Sequence, residues 1–247
     1  MGPWRLEVLR VWRTRRLIAL AATFLLLGLG VPILTYYLPE LVKNGSNGLQ
    51  ITVPKQTPTD AVSGFAGNVA QLGTLVVVAV AAASLSIDAR PGLAAFYRTR
   101  LHRPALLVLP RYVIVTAASV VALALGTLGA WYETAVLLGS VPPGSLMAGL
   151  ALEALWLCFV TSVVALLTSA IRGVLGVVGA SIALLLALNL PGSLSAVSSW
   201  LPIRLAASEA DFLQHPAGTI WHAAVVSGVA TVAALSLAVH RLGKRAL

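Results

Sequence analysis

The sequence predicts an all-α integral membrane protein, six transmembrane helices behind an amphipathic N-terminal helix, and three observations predict it. The 247 residues are 58% hydrophobic and only 10% charged, against about 25% charged in an ordinary soluble domain. The apolar residues gather into six runs near the roughly 20 residues that cross a bilayer. The basic residues gather at the ends of those runs rather than over a soluble face. The formal charge of +9 therefore reads as the positive-inside signature of a membrane protein and not as a nucleic-acid surface. A single cysteine, Cys158 inside an apolar run, excludes a disulfide framework and a cysteine-based metal site.

The chain is expected to be one transmembrane domain over 1–247. It begins with an interfacial helix at 3–16, PWRLEVLRVWRTRR. Trp4, Val8, Val11 and Trp12 fall on one stripe there, with Arg5, Arg10, Arg13 and Arg16 mostly off it, as in a helix lying in the headgroup layer. The alternative is a disordered basic leader that only fixes topology. The apolar run that follows is too long for a signal h-region and has no small-residue cleavage site, so the segment is read as part of the mature protein.

The spans are placed at about 17–38, 68–87, 106–131, 146–171, 173–190 and 220–240. An even number puts both termini on one side, and charge decides which. With the termini inside, 14 of the 17 Lys and Arg are cytoplasmic, and only Lys43, Lys55 and Arg204 lie outside. Tyr36, Tyr37, Trp131, Tyr132 and Trp221 then fall at outer ends, where aromatic belts form. Five of the eight acids, Glu40, Asp60, Glu133, Glu209 and Asp211, are outer as well. Arginine far outnumbers lysine, 14 to 3, a hint of a GC-rich bacterial genome, so the expected location is a bacterial cytoplasmic membrane.

Two outer loops are long. Residues 39–67 are rich in turn formers, with a helix start expected at Thr59 or Asp60. Residues 191–219 are apolar enough that short helices dipping into the outer leaflet or capping the bundle are expected there, since bare loop backbone does not survive at that depth. No internal repeat argues for an inverted-repeat transporter.

Catalytic chemistry is not expected. His102, His215, His222 and His240 are scattered, with no HExxH and no Ser, His and acid grouping on one membrane face. No GxxxxGK(S/T) loop is present, so ATP hydrolysis of the P-loop kind would need another subunit. Neither a metal nor a cofactor is expected in this chain. Glu153 is the one acid well inside a span, about 10 Å below its outer end at about 1.5 Å per residue. A charge there costs on the order of 2.5–3.5 kcal/mol, so Glu153 is either a substrate contact or protonation site, or a structural carboxyl held neutral. His222 or a backbone group is its expected partner. Small residues spaced to let helices approach, Gly126 with Ala130, Gly173 with Gly176 and Gly179, Gly176 with Ala180, and Ala224 with Gly228, are expected to serve packing within the chain first.

Between the second and third spans lies the most basic internal stretch, DARPGLAAFYRTRLHRP from Asp88 to Pro104. Pro91 and Gly92 break the helix before it, and Pro104 breaks it again. Phe96 and Tyr97 sit among Arg90, Arg98, Arg100 and Arg103. Simple anchoring to anionic lipid accounts for the charge but not for the aromatics.

This pattern resembles the ABC-2-type permeases, the six-helix membrane subunits of bacterial ABC exporters of the type V kind. The resemblance covers nearly the whole chain and is most specific from Ile87-Asp88 to Arg103-Pro104. Asp88 stands where that family has Glu, Gly92 matches its Gly, and Arg98 to Arg103 replaces its Pro-x-Arg segment. The resemblance implies a permease that dimerises with itself or a related subunit and docks on two P-loop ATPase subunits, which bind the ATP and Mg. It implies that the N-terminal helix, with Trp4 and Trp12, and a coupling segment at 88–105 contact the ATPase. In that segment Asp88, Arg90, Gly92, Phe96, Tyr97, Arg98, Arg100 and Arg103 would carry the contact. Spans two and five would line the path, placing Gln71, Thr74, Ser84, Ser181 and Asn189 near it, with Glu153 and His222 as further candidates. The expected cargo is a lipophilic or amphipathic compound such as a drug, antibiotic, peptide or lipid. Two other classes stay open: a secondary transporter with Glu153 as proton carrier, and a membrane scaffold holding a cytoplasmic partner through the arginine-rich helix.

Overall fold

The computed structural model describes residues 3–45, 54–86, 105–188, 199–214 and 220–245. All the regular structure among them is helical. α1 (Pro3–Arg13) precedes the long α2 (Arg16–Gly45); α3 (Pro58–Asn68) passes through a π-helical turn (Val69–Gly73) into α4 (Thr74–Leu85). α5 (Ala105–Leu137), α6 (Pro143–Ala170) and α7 (Val174–Ala187) follow, then a 3₁₀ turn (Pro202–Ala207) running into α8 (Ser208–Gln214), and α9 (Ile220–Arg245). Five stretches are long and apolar enough to cross a membrane: 16–43, 58–85, 108–137, 143–170 and 220–244. The fifth of the six predicted spans appears as α7, whose 14 residues rise only about 21 Å, short of the roughly 30 Å hydrocarbon core.

The helices overrun the predicted span ends. α2 continues through Pro32 and Pro39 to Gly45, so the first part of the predicted loop at 39–67 is helix. The second helix starts not at Thr59 or Asp60 but behind Thr57, the N-cap. Its side chain accepts from the Asp60 amide while the Asp60 carboxylate accepts from the Thr57 amide at 2.8 Å and hydroxyl at 2.6 Å. With Pro58 in the first helical turn, this capping box fixes the start before the apolar run begins. In 191–219, the described residues form the expected short helical pieces, with Leu205, Ala206, Ser208 and Glu209 buried. They cap the bundle at the end far from α1.

α6 is the central helix, packed against α4, α5, α7, α8 and α9. Trp156, Leu157, Val160 and Val164 are buried on it. α2 and α5 cross so closely that a Cβ at Gly126 would lie 2.7 Å from the Phe24 carbonyl oxygen, and one at Gly28 would overlap the Gly126 carbonyl. Here the small residues serve packing inside the chain, as expected. Gly173, Gly179 and Gly228 do not, because a Cβ at each would meet nothing within 4 Å; α7 and α9 turn those positions away from the bundle. α5 ends at Gly139, whose φ of 122° lies in the region glycine alone enters freely. Its amide donates to the Thr134 carbonyl at 3.0 Å, closing the last turn before α6.

Candidate functional site

A cavity of about 590 Å³ opens between the second and fourth membrane-length stretches, α7 and the 3₁₀ turn, within the size range of small-molecule pockets. The π turn supplies Gln71, α4 supplies Thr74, α6 supplies Trp156, α7 supplies Ile182 and Leu185, and the 3₁₀ turn supplies Ile203 and Ala206. Most of that lining is apolar. A π turn widens one turn of a helix and often marks a working position; here it presents Gln71, exposed, midway along the apolar stretch 58–85. An amide facing hydrocarbon at that depth would be costly, so this face meets a polar lumen or another protein surface. Beside it the Trp156 ring donates its Nε1–H to the Thr74 hydroxyl at 3.2 Å, and that hydroxyl donates back to the Val69 carbonyl at 3.5 Å. The bond satisfies the buried indole and holds the ring as a flat wall. A lining of this kind matches apolar surface and offers few polar groups.

Of the predicted path residues, only Gln71 and Thr74 are on this wall. Ser84 is far from it, accepting from the Arg16 guanidinium at 2.8 Å near the α1 end. Ser181 is buried and donates to the Val177 carbonyl of its own helix at 2.7 Å, although its neighbours Ile182 and Leu185 reach the cavity. His222 is exposed on α9 and stacks against Trp200 at 4.5 Å, so it is not the partner of Glu153. Asn189 lies outside the described residues. Among the described residues no group of three His, Cys, Asp or Glu could hold a metal.

Glu153 itself is wholly buried, and among the described residues neither of its oxygens has a hydrogen-bond partner. Glu209 of α8, which packs on α6 at Gly149 one turn away, is also wholly buried. Glu209 accepts from the Thr127 hydroxyl of α5 at 2.7 Å through Oε1, while Oε2 has no partner. Burial pushes the Glu209 carboxyl up from the usual 4.5 to about 7, with the Thr127 bond pulling the other way. α8 approaches α6 closely because position 149 is glycine. The Ser208 hydroxyl donates to the Gly149 carbonyl at 2.8 Å, and a Cβ at Gly149 would overlap the Glu209 backbone.

At the other end, the predicted coupling residues Asp88, Arg90, Gly92, Phe96, Tyr97, Arg98, Arg100 and Arg103 all lie outside the described residues. α1 is described. Trp4 and Val8 are exposed, and Glu7 is buried. The side chain of Trp12 is not among those described. Arg111, just past Pro110 in α5, donates from Nε to the Glu7 carboxylate at 2.8 Å, and Arg10 lies 3.6 Å from the same oxygen. This pair ties the N-terminal helix to the third span. Its sequence signal is the lone acid in an otherwise basic helix and an arginine placed inside an apolar run. Trp156 had a signal too, a tryptophan at mid-span away from either aromatic belt. Glu209 had none, since it resembles any acid of an outer loop.

A transmembrane protein, YxlG of Bacillus subtilis (strain 168), described as uncharacterized, is 24% identical over 213 residues, covering 85% of this chain and 83% of its own. No protein-family model and no solved structure matches the chain. The chain is a multi-pass membrane protein.

Proposed function

We propose that this chain is the permease subunit of an ATP-driven transporter, moving a lipophilic or amphipathic compound outward while a separate P-loop ATPase hydrolyses ATP. The observation that carries the reading is the mid-span cavity, apolar with Gln71 exposed on a π turn beside the Trp156 wall. A scaffold has no use for such a space. A second permease copy or a related subunit would cover the Gln71 face and complete the path. The Glu7–Arg111 pair supports a mechanical role for α1: a push on the N-terminal helix by an ATPase would reach α5 through a buried ion pair. In this reading the termini and the arginine-rich segment face the cytoplasm of a bacterial cell. A proton-driven carrier is the weaker reading, because Glu153 is not on the cavity wall.

The test is co-purification from detergent with a P-loop ATPase encoded beside it and co-expressed. A stable complex is expected, and failure to capture any ATPase would sink the proposal. In membranes from the same co-expressing cells, before detergent is added, Gln71→Cys in a Cys158→Ala background should react with a small water-soluble thiol reagent. Leu175→Cys, on the most exposed face of α7 at 87%, should stay unlabelled.

A further inference from the structure

We propose that Glu153 and Glu209 form a proton-binding site that latches the 202–214 segment over the cavity. Glu153 lies one turn along α6 from Gly149, where the Glu209 backbone packs, and two buried carboxyls on such close elements cannot both ionise cheaply, so a resident proton is the usual resolution. Among the described residues, neither carboxyl pairs with a Lys, Arg or His.

The charged and titratable groups described on the elements around α8 are these, with His215, the residue that follows α8 in sequence, outside the described residues. α6 offers Glu153 itself, and α5 offers the neutral Thr127, with Glu133 more than a turn beyond it. Asp60 of α3 is exposed and engaged by Thr57. Arg204 of the 3₁₀ turn is held by Asp211 of α8 at 3.2 Å, each side chain about a third exposed. His222 of α9 stacks on Trp200.

The site is joined to the cavity by covalent continuity. Ile203, Ala206 and Ala207 line the cavity, and α8 begins at the next residue, Ser208, with Glu209 following. Trp156, three residues after Glu153 on the same helix, is the opposite wall. When the pair carries its proton, α8 packs on α6 through Gly149. When Glu209 loses its proton to water, the drive to hydrate the new charge favours lifting α8 off the still-protonated Glu153, and the 3₁₀ turn lifts with it. The gating role rests on the cavity being the transport path; the latch is measured without transport or ATPase, so the two can fail separately.

Sign follows from linkage. Glu209 sits at about 7 in the closed form against the usual 4.5 once hydrated. Closure is therefore strongest below the lower value, weakens as pH rises between the two, and gains nothing above the upper one. The experiment is amide exchange of the peptide covering 202–214 in purified protein across that range, corrected for the intrinsic pH dependence of exchange. Protection should fall by up to about tenfold per pH unit and then level off, while peptides from the centre of α6 stay constant. Glu153→Gln with Glu209→Gln, which keeps volume and removes the charge, should hold its protection at every pH. The infrared spectrum of the wild type should show a protonated-carboxyl band that loses intensity over the same window. The proposal is overturned if protection does not respond to pH, if the double variant responds as the wild type does, or if no such band exists. It is equally overturned if Na⁺ or Ca²⁺, rather than acid, restores protection.

Discussion

Two buried glutamates stand at opposite ends of this bundle in opposite circumstances. Glu7 is met by the Arg111 guanidinium at 2.8 Å with Arg10 close by. Glu153 stands one turn from the packed-in acid Glu209 and, among the described residues, has no hydrogen bond. A buried ion pair with good geometry is a fixture, costly to break from either side. A pair of like acids holds together only while it keeps a proton. The same residue type thus makes a rigid joint near the N-terminal helix and a releasable one at the far end, with α5 touching both through Arg111 and Thr127, about 24 Å apart along its axis.

The largest effect that would break this contrast is expected at the rigid end. Arg111→Met leaves Glu7 buried with only the partly exposed Arg10 to offset it, and should cost about 3 kcal/mol, the low end for breaking a buried pair. Thermal unfolding in detergent reads the loss. Removing both charges in Glu7→Leu with Arg111→Met should recover most of it, because the penalty comes mainly from the stranded charge. If the double variant is no more stable than the single one, the joint owes its strength to something other than the pair.

Next in size, Gly149→Ala tests whether the far end is a packed latch. The added methyl overlaps the Glu209 backbone, and overpacking of this kind costs about 1–3 kcal/mol. The damage should stay local: amide protection falls over 202–214, and the Glu7–Arg111 end is untouched. An effect spread evenly over both ends would mean that α8 is part of one undivided core.

How much of this was readable in the chain follows from the range of the interactions. The long helices were legible because hydrophobic runs and charge bias are local signals, while Gln71 and Thr74, now on the cavity wall, were singled out only by the family resemblance that has span two line a path. The start at Thr57 is local too, but it lies outside the apolar run that drew the expected boundary. The acid pair was illegible for a different reason. Glu209 reaches Thr127 across 82 residues, and an outer loop folding its one buried acid back toward mid-bilayer leaves no periodicity to detect. The expected partner of Glu153 was His222 or a backbone group, since either is a cheaper neighbour for a charge than a second carboxyl. An acid in that place points to a group whose charge changes.

The smallest effect is the sharpest on that point. Thr127→Val keeps the shape of the side chain and removes the hydroxyl that donates to Glu209 Oε1. The lost bond is worth about 0.5–1.5 kcal/mol, a modest change in overall stability. Its direction on the latch is specific, because this bond is what lowers the Glu209 carboxyl against the upward push of burial. Without it the closed form should hold its proton to higher pH. The loss of protection over 202–214 should then begin at the same acid end, set by the hydrated carboxyl, yet continue past 7 before levelling off. A purely structural threonine would lower protection by the same factor at every pH. A plateau displaced upward is the signature of a hydroxyl that tunes a proton site.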